Sequence, residues 1–180
     1  MSIFAGYFAR LRQLILRYLS HPTKAPTLQT TKPALMSKIR QPNGDDYPEA
    51  AAKHLADAKS LLGENRSDGA AYLSGYVVEC ALKSLVLVEA GNARAFGHQL
   101  TNLSQRALSL AAQAGSRTAR YKPKINPSPS ICDGQPNGWY ESLRYHQLGA
   151  VTAATAAAWV GEAEAIYLST IVPMRIDGLV

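Results

Sequence analysis

Two charged residues inside an otherwise apolar segment are the strongest candidates for a chemical role in this sequence. Residues 70–88 contain only Glu79 and Lys83 as charges. They are four positions apart, and Tyr72 and Tyr76 continue the same spacing, so on a helix all four share one face. The neighbouring residues are small or apolar, and burial of an unpaired charge is costly. The pair therefore needs partners, either as a structural ion pair or as one wall of a binding site.

A second group of candidate residues surrounds Arg144. Aromatic residues occupy positions 139–140, and Tyr145 and His146 follow the arginine. An arginine among aromatic side chains suits contact with a phosphate together with stacking of a base. The alternative is a structural role, in which Arg144 pairs with Glu79 and holds this segment against the core.

A basic stretch lies between Glu89 and Asp133, where no acidic residue occurs. Its cations are Arg94, Arg106, Arg117, Arg120, Lys122 and Lys124. A stretch of this kind suits a nucleic-acid backbone or an acidic partner, and the alternative is a solvated loop. Two histidines have simpler expected roles: His98 caps a helix, and His54 faces solvent.

The apolar spacing indicates helices throughout the second part of the chain, without a competing strand pattern. The four predicted helices lie near residues 48–63, 68–90, 98–114 and 148–170. The second and the last are the poorest in charge, so we expect them to be among the most buried. Pro173 is expected to end the last helix. Residues 116–138 contain four prolines and are predicted to form a long irregular loop, a type that is usually functional or mobile.

The net charge of +6 belongs to the start of the chain. Residues 1–40 hold seven basic residues and no acid, whereas residues 41–180 hold 12 basic and 13 acidic ones. The predicted organisation is an amphipathic helix and flexible linker over 1–40, followed by a helical domain over 45–172. A membrane-surface anchor is the alternative for the first helix, and Met36 is an alternative start.

Composition excludes several classes of protein. Cys80 and Cys132 have no metal-ligand spacing, and the four histidines are not paired, so we predict no metal site, no disulfide and no cofactor. Cys80 is expected in the core. The sequence lacks a secretory signal and a run of ~18 apolar residues, which predicts a cytoplasmic protein without a transmembrane segment.

Three segments in order resemble the HEPN family (higher eukaryotes and prokaryotes nucleotide-binding domains). They are residues 72–83 with Glu79 and Lys83, residues 97–103, and residues 139–145. The resemblance spans about residues 47–168 and implies an all-α, up-and-down four-helix bundle that forms a homodimer. It further implies a nucleotide- or RNA-binding component of a bacterial toxin–antitoxin or defence system, with a minimal nucleotidyltransferase as partner. The residues assigned to binding are Tyr76, Glu79, Lys83, His98, Arg120, Lys122, Arg144 and Tyr145.

Two other functions stay open. HEPN domains that cut RNA typically carry an arginine followed by a histidine, with four to six residues between the two. This chain departs from that spacing. Arg94 and His98 have three residues between them, and Arg144 and His146 have one. The first alternative is a metal-independent endoribonuclease with Arg144 and His146, or Arg94 and His98, as catalytic residues. The second is a purely structural bundle that dimerises and docks another protein.

Overall fold

The computed structural model describes residues 36–93, 97–123 and 130–180. These residues belong to one compact unit, Leu35–Val180. The predicted N-terminal amphipathic helix and most of the predicted linker lie outside the described residues, as do Arg94 and Lys124.

The described residues form four α-helices and no strand, so the predicted all-α fold is confirmed. The helices are α1 (Tyr47–Gly63), α2 (Ser67–Ala90), α3 (Leu100–Ala111) and α4 (Ala153–Ile176). Three short 3-10 helices lie in the connection between α3 and α4, at Ala119–Tyr121, Ser130–Cys132 and Glu141–Tyr145.

Local sequence signals set the helix ends. The Asp46 side chain accepts a hydrogen bond from the backbone N–H of Glu49, and Pro48 occupies the first turn of α1. α2 ends at Gly91, which has a φ of 69° and so adopts the left-handed conformation that glycine tolerates. Thr152 caps α4 by accepting from the N–H of Thr155.

α2 is the central helix and packs against the other three. Fifteen of its 24 residues are buried, which confirms that it is the main core element. α2 is long and apolar enough to span a membrane. However, 78% of its most apolar 18-residue segment is buried inside the bundle, as expected for a core helix. α1 runs antiparallel to α4, since Arg175 pairs with Glu49 at 2.7 Å and Lys59 pairs with Glu164.

The final helix differs from the prediction in three respects. It begins at Ala153 because Thr152 provides the cap, leaving Leu148 outside and exposed. It continues through Pro173 to Ile176, and the last turn keeps its hydrogen bonding after the proline, because the Pro173 carbonyl accepts from the N–H of Asp177 at 3.0 Å. Eight of its 24 residues are buried, a smaller share than in α3, since many of its alanines face solvent.

The connection between α3 and α4 starts earlier than predicted, because α3 ends at Ala111 and Ala114 is exposed. Two carboxylates hold the described parts of this connection against the bundle. Glu89 accepts from the N–H of Thr118 at 2.5 Å, and Glu162 accepts from the N–H of Ile131 at 2.9 Å. Ile131 is fully buried, so the connection contributes to the core.

Candidate functional site

The charged pair of α2 is buried, as the sequence predicts, with Glu79 4% and Lys83 7% exposed. Lys83 Nζ donates to Glu79 Oε1 at 2.7 Å. His98 Nδ1 lies 2.8 Å from the other carboxylate oxygen, Glu79 Oε2. Both carboxylate oxygens of Glu79 therefore have nitrogen partners, which offsets the cost of burying the charge.

The structure corrects the predicted role of His98. Its ring bonds the Glu79 carboxylate, whereas Gln99 is the N-cap residue of α3, with no side-chain hydrogen bond at the cap. The His98 side chain is 45% exposed, so one part of the ring contacts the buried carboxylate while another reaches solvent. His98 thus connects the interior charge of α2 to the protein surface.

Arg144 does not pair with Glu79, and that predicted ion pair is wrong. Its guanidinium Nη1 donates to the Tyr72 hydroxyl at 3.3 Å, and its Cζ lies 4.7 Å from the centre of the Tyr145 ring. The reason is position along α2: the 3-10 helix that carries Arg144 packs beside Tyr72, about two helical turns before Glu79. Hydrogen bonds to Tyr72 and Tyr145 raise the pKa of Arg144, so the exposed guanidinium stays cationic.

An aromatic cluster of Tyr72, Tyr76 and Trp139 joins Arg144 to the core. The two tyrosine hydroxyls are 2.9 Å apart, and the Trp139 indole N–H donates to the Tyr72 carbonyl at 2.9 Å. The Trp139 ring lies directly on Gly75, where an added Cβ would be 2.0 Å from the indole, so only glycine fits there. Burial, followed by the hydrogen bond with Tyr72, raises the pKa of Tyr76 and keeps its phenol protonated.

His54 also contacts this cluster, contrary to the expectation that it faces solvent. Its ring lies 5.6 Å from that of Tyr76, and its Nδ1 is buried without a hydrogen-bond partner among the described residues. Burial, and then the charge of Lys53, lowers the pKa of His54, so its ring is neutral. The sequence contained a signal for this position, because His54 lies three residues after Ala51 and four before Ala58, both of which are buried.

A cleft of about 360 Å³ opens beside His98, between the start of α3 and the segment 139–141. Trp139, Tyr140 and Glu141 line one side, and His98 lines the other. The structure thus places the predicted residues Tyr76, Glu79, Lys83, His98, Arg144 and Tyr145 around the middle and first part of α2.

Arg120 and Lys122 lie elsewhere. Thr118, just before them, bonds Glu89 near the end of α2, whereas Arg144 bonds Tyr72 near its start. Seventeen helical residues separate those two positions, a distance of roughly 25 Å. Arg120 pairs with Asp177, and the hydrogen bond with Tyr121 is the main cause that raises its pKa.

His146 contacts another aromatic residue, and both cysteines are buried. The His146 ring packs against Tyr140, with ring centres 5.6 Å apart. Cys80 and Cys132 are free and buried, as predicted for Cys80, and burial raises the pKa of each thiol to about 12. Within the ranges that the structure describes, His, Cys, Asp and Glu form no group able to hold a metal ion.

Comparison with known proteins agrees with this arrangement. The model of the HEPN domain family matches residues 45–126. That range contains α1, α2 and α3, including Glu79, Lys83 and His98. No curated protein and no solved structure matches the chain. The resemblance to the HEPN family is thus confirmed over residues 45–126, which are 82 of the 180 residues of this chain.

Proposed function

We propose that this HEPN domain is the nucleotide- or RNA-binding component of a bacterial toxin–antitoxin or defence system, acting in the cytoplasm as a homodimer. The observation that supports the proposal most strongly is the exposed guanidinium of Arg144, placed between two tyrosines. The 3-10 helix that carries it begins at Glu141, which lines the His98 cleft. The resemblance to toxin–antitoxin HEPN proteins suggests a minimal nucleotidyltransferase as partner.

The charge of Arg144 is available to an anionic ligand. Its hydrogen-bond partner is the hydroxyl of Tyr72 rather than a carboxylate, so the contact orients the guanidinium without forming an ion pair. By contrast, Arg120 is already paired with a carboxylate. A planar guanidinium that is oriented but not neutralised suits bidentate contact with a phosphate.

Tyr145 supplies the second element of the proposed site. It is 75% exposed, and Arg144 lies over its ring at 4.7 Å. Exposed aromatic rings next to arginine bind single-stranded nucleic acids by stacking with the bases, a mode that does not depend on sequence. Glu79 and Lys83 have a supporting role in this proposal, because their buried pair positions His98 at the edge of the cleft.

The relative positions of Arg144 and His146 favour binding over cleavage. The His146 ring packs on Tyr140, while the Arg144 guanidinium packs on Tyr145 and bonds Tyr72. The two groups thus contact different neighbours, and this geometry does not support His146 as a catalytic partner of Arg144. Binding is therefore the function that the site supports best.

The test is RNA binding by an Arg144→Ala variant, measured by fluorescence anisotropy with a short single-stranded RNA. We expect affinity to fall at least ~10-fold, the loss typical of a charge-assisted contact, with an unchanged melting temperature because the side chain is exposed. Arg144→Lys should recover only part of the affinity, since lysine lacks the planar fork.

Arg106→Ala is the matched control, because Arg106 is an exposed arginine on α3 and lies outside the proposed site. Binding by Arg144→Ala that equals the parent's would refute the assigned site. Sedimentation velocity on the parent chain tests the homodimer, and co-purification with a co-expressed minimal nucleotidyltransferase tests the partner.

A further inference from the structure

A second cleft adjoins the one beside His98. It has a volume of about 440 Å³ and lies between α3 and residues 132–137. The two clefts share Thr101, Gly134 and Gln135 in their walls, so they adjoin each other along α3. We call the two clefts together the α3 groove.

Uncharged amides and two acids give the α3 groove its chemical character. Gln105, Gln135 and Asn137 line it, together with Asp133 and Glu141. Their side chains make no hydrogen bond with another residue of the described ranges, so their donors and acceptors are available to a ligand. No lysine or arginine of the described segments lines either cleft. The α3 groove is thus unsuited to a phosphate and suited to a neutral ligand with several hydrogen-bonding groups.

Backbone hydrogen bonds hold the outer wall of the groove in place. The N–H of Trp139 donates to the Ile131 carbonyl at 3.0 Å, which closes the segment into a loop. Thr101 Oγ1 donates to the Cys132 carbonyl at 2.7 Å and ties that loop to α3. At Gly138 an added Cβ would be 1.7 Å from the carbonyl oxygen of Asp133, so the turn is tight. Because this wall is already fixed, ligand binding does not incur the entropy cost of ordering it.

We infer that the α3 groove binds a nucleobase, which its amides and carboxylates recognise along the hydrogen-bonding edge, while the phosphate stays outside at Arg144. This inference rests on the proposed function and names the part of the ligand that enters the protein. Asn and Gln amides offer one donor and one acceptor side by side, the pattern that pairs with adenine. Carboxylates such as Asp133 accept from exocyclic amino groups, and they repel phosphate.

Arg144 lies one turn of 3-10 helix beyond a residue that lines the groove. Glu141 lines the groove, and Arg144 follows it by three residues in the same 3-10 helix. Tyr140 lines the same end and offers an aromatic wall. A nucleotide can therefore have its base beside the amides and its phosphate at the end of the groove lined by Tyr140 and Glu141, toward the guanidinium of Arg144.

The experiment measures binding of adenosine, cytidine, guanosine and uridine 5′-monophosphates by calorimetry, and of the four matching 12-nucleotide homopolymers by anisotropy. The parent should bind the bases with an exocyclic amino group more tightly than uracil. The double variant Gln135→Leu/Asn137→Leu should lose ~10-fold or more for the preferred base and should distinguish it from uracil less well than the parent does, because only the carboxylates of Asp133 and Glu141 remain. Gln113→Leu, an exposed amide outside the groove, is the control and should bind as the parent does.

The two ligand sets distinguish a free nucleotide from a base within RNA, since a groove specific for RNA would discriminate among homopolymers alone. Equal affinity of the parent for all four bases, or unchanged discrimination in the double variant, would overturn the base-binding groove but leave binding at Arg144 intact. Loss of binding in Arg144→Ala together with unchanged discrimination in the double variant would likewise overturn the groove alone. A parent that binds none of these ligands would overturn both proposals.

Discussion

Replacing Glu79 by alanine should destabilise the bundle by ~3 kcal/mol, because the change leaves Lys83 buried without its counter-ion. The Lys83 side chain is only 9% exposed and has its ammonium 2.7 Å from Glu79 Oε1. Lys83 Nζ also lies 5.5 Å from the centre of the Tyr47 ring, a cation–π contact of ~0.5–1 kcal/mol that cannot replace a carboxylate. His98 is 45% exposed, so water can solvate it and its share of the loss is small.

The size of the effect makes it measurable. Breaking a buried ion pair by removing one partner typically costs ~3–5 kcal/mol, and we take the lower value because Lys83 can move part of its length toward solvent. For a chain of this size each kcal/mol lowers the melting temperature by ~2–4 °C, which gives a decrease of ~6–12 °C. Calorimetry and urea unfolding on the same samples should agree.

Two further variants identify the cause. The double variant Glu79→Ala/Lys83→Met should recover most of the stability, since replacing both partners by apolar groups removes the stranded charge. Glu64→Ala removes an exposed carboxylate at the end of α1 and should change the free energy of unfolding by less than ~0.5 kcal/mol. A Glu79→Ala variant as stable as Glu64→Ala would refute the argument that the pair needs both members.

Three other outcomes follow from the described contacts. Gly75→Ala should lower stability by ~1–3 kcal/mol in urea unfolding, because its Cβ would overlap Trp139; a fully stable variant would contradict that packing. Glu89→Gln should be less stable than the parent at pH 7. Burial raises the pKa of Glu89, but the hydrogen bonds from Ser116 and Thr118 outweigh it and lower that pKa below its ordinary value of 4.5. The stability that Glu89 contributes is therefore present above pH 4.5 and lost as the pH falls through the lowered pKa. The two unfolding curves should therefore converge at low pH, and a constant gap would exclude this cause. Removal of residues 1–35 should leave one cooperative melting transition, since the four helices lie within Leu35–Val180, and a broad transition would show that the removed segment stabilises the core.

The spacing of apolar residues was enough to place the helices, and the near absence of charges predicted that α2 is buried. Residues 70–88 contain only Glu79 and Lys83 as charges, so almost every face of this helix is apolar and the burial of the pair could be predicted locally. The starts and ends were less certain because they depend on single hydrogen bonds, such as the one Thr152 makes to the N–H of Thr155.

Tertiary structure alone decided which residue meets the second oxygen of Glu79. His98 is 19 residues away and Arg144 is 65 away, and either could have been the partner by charge. The choice depends on where the segments before α3 and α4 cross α2, and helical periodicity carries no information about that. The same holds for His54, which contacts Tyr76 only because α1 packs beside α2 at that level.

The division of the candidate residues between two places has the same origin. By composition, Arg120 and Lys122 belong with Arg144, because all are cations near aromatic residues in the long connection. In the structure, the first part of that connection bonds Glu89 at the end of α2, and the last part bonds Tyr72 near the start of α2. The sequence by itself thus determined the helices and the buried charge, whereas long-range hydrogen bonds to fixed positions along α2 determined which cations share a site.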